Sequence, residues 1–166
     1  MDVQGDVLAR LRDMEIEYRF LAHAPVRNIA DCLPIAEQLH ALMPKNLFLT
    51  PRSEKTFYLA IVPPDAMFRT SDVSHQLGSA RLSFASEERL DALLRTKPGA
   101  ISPMGLLFDA DRRVQFAMDR ALADAPVLAF HPCVSTASIA ISQTDFRRFL
   151  AELGYEIHWI TTKNSE

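Results

Sequence analysis

The sequence predicts a mixed α/β (α+β) fold in a single domain, a mixed β-sheet flanked by helices. Three observations carry that expectation. Stretches of helical period mingle with short β-branched and aromatic runs. Their order lacks the regular βαβ alternation of a doubly wound parallel sheet. The 166 residues contain no repeat, linker or low-complexity block, so one domain spanning 1–166 fits the length.

The elements follow in order. Val7, Leu8, Leu11 and Met14 share one face of a first helix. Residues 18–21 make a short strand that His23-Ala24-Pro25 ends, because the residue before proline avoids helical geometry. Asn28 caps a short turn, and Pro34 suits the first turn of a helix running to about Leu42. Residues 45–50 and 56–62 form a hairpin across the polar turn 51–55, and Pro63-Pro64-Asp65 stops its ladder. Thr70 or Ser71 caps a helix through Leu77 that Gly78 closes. Residues 81–84 are extended. Ser86-Glu87-Glu88 opens a helix with Leu90, Leu93 and Leu94 on one face.

Residues 97–103 are a loop, and 104–108 and 114–118 are strands around the turn 109–112. Two further strands cover 127–130 and 136–141. Ser142 or Thr144 starts the last helix, which turns Phe146, Phe149, Leu150 and Leu153 to the core and stops at Gly154. Residues 155–160 are a final strand, and 161–166 a frayed tail.

Composition narrows the function. Hydrophobic residues at 48% and charged residues at 23% suit a packed globule rather than a disordered chain. A net charge of −3 argues against a non-specific nucleic-acid coat or a polybasic membrane binder. With no visible recognition helix, it also argues against a DNA-binding regulator. The acidic start Met1-Asp2 lacks the apolar core of a signal peptide, and no run approaches a membrane span, so a soluble cytoplasmic protein is expected. Cys32 and Cys133 match no metal-ligand spacing and are expected as free thiols.

GxGxxG, P-loop and GxSxG motifs are absent, as is paired spacing among His23, His40, His75, His131 and His158. No metal and no cofactor are expected. Ser102 and Ser135 show no triad order with His131. Three local features remain. Lys45 opens the apolar strand KNLFL, either as a solvated edge residue or as a cation at a pocket mouth that holds phosphate. Gly99-Ala100-Ile101-Ser102-Pro103 is a stiff loop, either a plain turn or a presenter of backbone groups to a ligand. His131-Pro132 ends a strand, with a ring direction that the proline helps to fix.

Taken together, KNLFL at 45–49, FYL at 57–59, RLSFASEERL at 81–90, GAISPMGLLFD at 99–109 and FHPCVSTASIAIS at 130–142 resemble the YbaK/ProX superfamily. This is the family of the insertion-type editing domain of prolyl-tRNA synthetase. The likeness runs from about His23 to Gly154 and is greatest to the stand-alone ProX branch, whose characterised members deacylate alanyl-tRNA(Pro). The resemblance implies an aminoacyl-tRNA deacylase that acts in trans. Its partners would be the acceptor end of tRNA(Pro) carrying a small amino acid, and prolyl-tRNA synthetase.

The resemblance assigns the catalytic roles to Lys45, Gly99 and His131, and substrate contacts to Asn46, Ala100, Ile101, Ser102 and Pro103. Phe48 and Ile101 are the candidate walls of a size sieve. Lys45 would hold the terminal adenosine phosphate, the Gly99 loop the aminoacyl end and oxyanion, and His131 the substrate or water. A substrate ribose hydroxyl would activate the water. Cys133, two residues beyond His131, is expected on the same side, in a packing role. Ala24 stands where the family often has Glu, and Ser135 where it often has Asn, which bears on substrate contacts. The alternatives are a cysteinyl-tRNA(Pro) deacylase and a non-catalytic aminoacyl-tRNA-binding module.

Overall fold

A computed structural model describes residues 2–164. Helix α1 (Val3–Asp13) starts where the Asp2 carboxylate accepts the Gly5 N–H, and it buries Val7 and Leu11. Strand β1 (Arg19–Ala22) follows. Helix α2 (Ile29–Leu39) is capped by the Asn28 side chain, which accepts from the Asp31 N–H. Pro34 therefore lies inside this helix and not in its first turn. Its missing N–H deprives only the Ala30 carbonyl, and Ala30 is exposed, so water can replace the lost bond. The helix ends before Leu42 because His40 adopts the left-handed conformation.

Strands β2 (Lys45–Pro51) and β3 (Phe57–Val62) form the expected antiparallel hairpin, with Lys45 opposite Val62. Beyond it come β4 (Ala66–Met67), α3 (Thr70–Gln76), β5 (Leu82–Phe84) and α4 (Glu87–Leu94). The capping residue of α3 is Arg69, without a side-chain bond, rather than Thr70 or Ser71; the helix begins one residue early, where the Val73 N–H reaches the Arg69 carbonyl. Ser86 caps α4 as expected.

The run 104–108 is not a strand. Pro103–Phe108 is a 3-10 helix whose first turn is set by Pro103 and capped by Ser102 Oγ, which accepts the Met104 N–H. Gly105 lets this helix press on the end of α4: a Cβ there would stand 2.6 Å from the Leu94 carbonyl oxygen. The apolar run is thus buried as a tight helix. Asp109 closes it, accepting from the N–H groups of Arg113 and Val114.

Strand β6 (Val114–Asp119) follows, then β7 (Val127–Phe130), β8 (Ala137–Ser142), α5 (Gln143–Leu153) and β9 (Ile157–Ile160). The main sheet is mixed, in the order β5-β2-β3-β6-β9, with β3, β6 and β9 parallel and the other pairs antiparallel. A second, antiparallel sheet runs β1-β8-β7. The two sheets meet where Leu42 pairs with Leu128. The expected frayed tail is tied down up to the described limit: β10 (Lys163–Asn164) pairs with β4, and Thr162 bonds the buried Asp119 carboxylate. Residues 165 and 166 of that tail lie outside the described residues.

The core joins both sheets, and Phe116, Phe130, Phe146 and Phe149 form a cluster of rings within it. Because β2 begins beside the junction of the sheets, its first two side chains stand at an open seam and not within the core. Among the described residues, no helix is long and apolar enough to cross a membrane.

Candidate active site

That seam is a cleft of about 250 Å³. Four separate segments line it: Val26 to Ile29 with Cys32 at the start of α2, Met43 to Leu47 entering β2, Gly99 and Ile101, and Phe130 with His131 at the end of β7. Lys45, Asn46, Gly99, Ile101 and His131, far apart in sequence, therefore meet in one place.

Lys45 is half-buried, and its Nζ donates to the Ala66 carbonyl at 2.7 Å. It forms no ion pair among the described residues, so its charge is not neutralised by a carboxylate. Arg27 adds an exposed cation to the cleft. Asn46 points the other way from the strand, as alternation requires. Its Nδ2 donates to the Pro44 carbonyl at 3.3 Å, which fixes the amide orientation, and its buried Oδ1 has no hydrogen-bond partner. An orphaned buried acceptor costs about 1–3 kcal/mol, so it marks a place where a donor is wanted.

The loop 97–103 is rigid for local reasons. The Ala100 N–H donates to the Lys97 carbonyl, and Thr96 Oγ1 donates to the Ala100 carbonyl at 2.6 Å. Gly99 has φ +88°, and a Cβ there would stand 3.2 Å from the Val26 carbonyl oxygen on the opposite wall. No hydrogen bond among the described residues engages the N–H of Gly99 or of Ile101. Ala100, Ser102 and Pro103 do not line the cleft; they are buried and hold the loop's shape.

Phe48 lies instead in an adjoining apolar side pocket of about 220 Å³, with Leu90 and Pro98. Asn46, Leu47 and Ile101 separate the two spaces, since they line both.

His131 is held by a chain of hydrogen bonds whose polarity follows from the groups present. A carbonyl can only accept, so His131 Nδ1–H donates to the Ala137 carbonyl at 2.9 Å. By the same rule His23 Nδ1–H donates to the Ala24 carbonyl, leaving His23 Nε2 to accept Ser138 Oγ–H at 2.8 Å. Ser138 Oγ in turn lies 3.3 Å from His131 Nδ1. His131 Nε2 is left as an unengaged lone pair on a ring that lines the cleft. Burial pushes the His131 imidazole below its ordinary pKa; the neighbouring His23 adds to this and the Ala137 bond opposes it. The ring is therefore neutral at physiological pH.

Cys133 does not share the cleft with His131. It is packed in the core with its thiol toward the Leu94 carbonyl, and burial pushes it up to about 12, so no thiolate forms there. The cleft thiol is Cys32, raised by burial and by the Asp31 charge. Among the described residues, no group of three or more His, Cys, Asp or Glu is placed to hold a metal ion.

The α2 wall and the Ser138 link escape sequence reasoning. Val26, Ile29 and Cys32 carry an ordinary apolar signature, and Ser138 sits unmarked in a buried strand.

The model of the aminoacyl-tRNA editing domain family matches residues 23–149. The chain is 31% identical over 154 residues to the prolyl-tRNA editing protein ProX of Acetoanaerobium sticklandii, covering 93% of this chain and 94% of that one. It is 29% identical over 154 residues to prolyl-tRNA synthetase associated domain-containing protein 1 of Danio rerio, covering 92% and 83%. In fold it superposes on a crystal structure of a candidate trans-editing enzyme for prolyl tRNA synthetase with a TM-score of 0.73 and 14% identity, over 99% of each chain. The matched span contains every segment that lines the cleft, and the chain belongs to the aminoacyl-tRNA editing domain family.

Proposed function

We propose that this protein hydrolyses the ester of mischarged aminoacyl-tRNA in trans, with alanyl-tRNA(Pro) as the preferred substrate. The observation that carries the reading is the meeting, in one cleft, of an un-neutralised Lys45, an orphaned Asn46 Oδ1, the unengaged N–H groups of Gly99 and Ile101, and a neutral His131. Lys45, with Arg27, holds the phosphate of the terminal nucleotide. Asn46 Oδ1 accepts from the α-ammonium group of the amino acid and fixes the ester carbonyl relative to the loop.

Water attacks that carbonyl. The oxyanion that forms is received by the Gly99 and Ile101 N–H groups, a contribution of about 3–4 kcal/mol per donor in comparable sites. The tetrahedral adduct collapses to the free amino acid, and the ribose oxygen leaves with the proton that the water gave up. His131 Nε2 accepts a hydrogen bond from the water or from the neighbouring ribose hydroxyl and sets its direction. An aminoacyl ester is already activated, so the substrate's own hydroxyl suffices as the proton relay.

Selectivity is assigned to the side pocket. A synthetase site built for proline cannot strongly reject alanine, because missing methylenes are worth only about 1–3 kcal/mol. A second site excludes proline by overpacking at Ile101 and Phe48. The names of the ProX and prolyl-tRNA synthetase associated relatives support tRNA(Pro) as the carrier.

The test is deacylation of alanyl, cysteinyl and prolyl esters on one tRNA(Pro) at one salt concentration. Alanyl is expected fastest, with prolyl at least tenfold slower. Equal alanyl and prolyl rates would remove the sieve, a faster cysteinyl ester would change the substrate, and tRNA binding without turnover would leave a binding module.

A further inference from the structure

A surface outside the cleft is harder to explain as part of a folded monomer. Phe84 is 62% exposed and Met67 40% exposed, and Phe84 also lines the side pocket that adjoins the cleft. Phe84 sits on β5, the outer strand of the main sheet, opposite Leu49 of β2. Its ring is tilted 45° against Phe68, with centroids 6.3 Å apart. Phe68 and Leu47 pack against one apolar cluster, and Leu47 lies on the same face of β2 as Lys45. An apolar strip thus runs along one face of the sheet, from the cleft lysine through Leu47 to the Phe68–Phe84 pair.

Exposed cations stand near the strip at Arg69 and Arg81, and the Glu87 carboxylate shares the side pocket with Phe84. Arg69, next to Phe68, reaches back to Met67 Sδ, and Arg81 lies three residues before Phe84. Both arginines are exposed, and neither forms an ion pair among the described residues. Two rings with un-neutralised cations beside them are too small for a stable protein interface, which needs about 800 Å² per partner. They match single-stranded RNA, where bases stack on aromatic faces while the backbone follows positive charge.

We propose that Phe84, backed by Phe68, is a stacking platform for an unpaired base of the RNA 3′ end, just upstream of the terminal nucleotide whose phosphate Lys45 holds. The proposal rests on the deacylase reading and extends it. The ester group enters the cleft, and the preceding unpaired strand lies along the strip. Stacking does not depend on which base is present, so the platform adds affinity for any such end and leaves the choice of tRNA to other contacts.

The experiment compares Phe84→Ala, Phe84→Leu and Phe84→Trp with the unaltered protein. Its substrates are alanyl-tRNA(Pro) and 3′-O-alanyl-adenosine, which has no upstream base. Binding of uncharged tRNA is measured alongside by fluorescence anisotropy. Phe84→Ala and Phe84→Leu are expected to lower kcat/KM on the tRNA ester about tenfold more than on the adenosine ester. Phe84→Trp should stay within about threefold of the original protein on both. The salt dependence of tRNA binding should keep its slope in Phe84→Ala, because no phosphate contact is lost.

A Phe84→Leu protein as active on tRNA as the original would overturn the platform, since leucine keeps the apolar area and loses only the ring. Equal losses on both esters would also overturn it and trace the effect of Phe84 to the side pocket that it lines. Should the unaltered protein cleave neither ester, the deacylase reading fails, and anisotropy decides the platform alone: weakened tRNA binding by Phe84→Leu supports it, and unchanged binding rejects it.

Discussion

Gly99→Ala separates the loop proposed to be catalytic from the fold that carries it. Gly99 holds φ +88°, a region that costs an L-residue about 1–2 kcal/mol. The new Cβ would also stand 3.2 Å from the Val26 carbonyl oxygen. That carbonyl cannot easily retreat, because the Val26 N–H is bonded to the Ser135 carbonyl at 3.2 Å. The loop is expected to give way, rotating the Gly99 and Ile101 N–H groups off the proposed oxyanion position. The stability cost of about 1–2 kcal/mol corresponds to about 2–8 °C in Tm and leaves an ordinary domain folded at 25 °C. Loss of one oxyanion donor costs about 3–4 kcal/mol, or two to three orders of magnitude in kcat. Gly78→Ala is the control. Gly78 has φ +65° and nothing within 4 Å of its added Cβ, so it carries the same backbone strain away from the cleft. Thermal melts and single-turnover deacylation of alanyl-tRNA(Pro) read both variants. Gly78→Ala should lose a similar few degrees and keep its rate, while Gly99→Ala loses the rate. A folded Gly99→Ala protein within threefold of the original kcat would refute the loop's role.

Lys45→Ala is expected to lower kcat/KM on aminoacyl-tRNA by about 30-fold or more, the range for losing one charged contact of a buried pair, with little change in Tm; the loss should shrink as salt is raised. The acid limb of kcat/KM should lie below pH 6.5, because burial lowers the His131 pKa and the neutral ring is the working form. The same shift has a stability sign: between the folded pKa and 6.5 the unfolded chain binds more protons, so stability falls as pH drops through 6.5. A pH-rate break above 6.5 would contradict the neutral-ring assignment. Alkylation should inactivate through Cys32, which lines the cleft, and tRNA should protect against it; Cys32→Ser should keep activity and resist the reagent, since burial and the Asp31 charge disfavour a thiolate there. Inactivation that persists in Cys32→Ser would exclude the cleft thiol as its cause.

The fold was legible where local rules and burial agree. The β2–β3 hairpin, the Ser86 and Ser142 caps and the Gly154 stop all follow from short-range chemistry that the tertiary structure leaves alone. The failures occurred where one local signal stood for two outcomes. The apolar run at 104–108 suits a buried strand by composition, yet Ser102-Pro103 before it is a cap followed by a first-turn proline, and Gly105 shows that its neighbour is a helix end. Pro34 looks like a helix start because a proline is easiest to place there. Asn28, six residues earlier, holds the actual cap, and the exposed Ala30 carbonyl makes an interior proline tolerable.

The site divides along a different line. Lys45, Gly99 and His131 stand out locally as a cation opening an apolar strand, a glycine in a stiff loop and a polar ring ending a core strand, and the family resemblance is what joins them into one site. The opposite wall has no such local mark. Val26, Ile29 and Cys32 follow ordinary core spacing, and only the packing of α2 on the β1-β8-β7 sheet turns part of that face toward β2. Ser138 is hidden for the same reason, since its importance lies in joining His23 to His131 across 115 and 7 residues of sequence. The Ser138 hydroxyl donates its proton to His23, and this leaves its lone pair to face His131 Nδ1–H. The tautomer that leaves His131 Nε2 unprotonated in the cleft is thus set by two carbonyls and one serine, none of which carries a catalytic signature in the sequence.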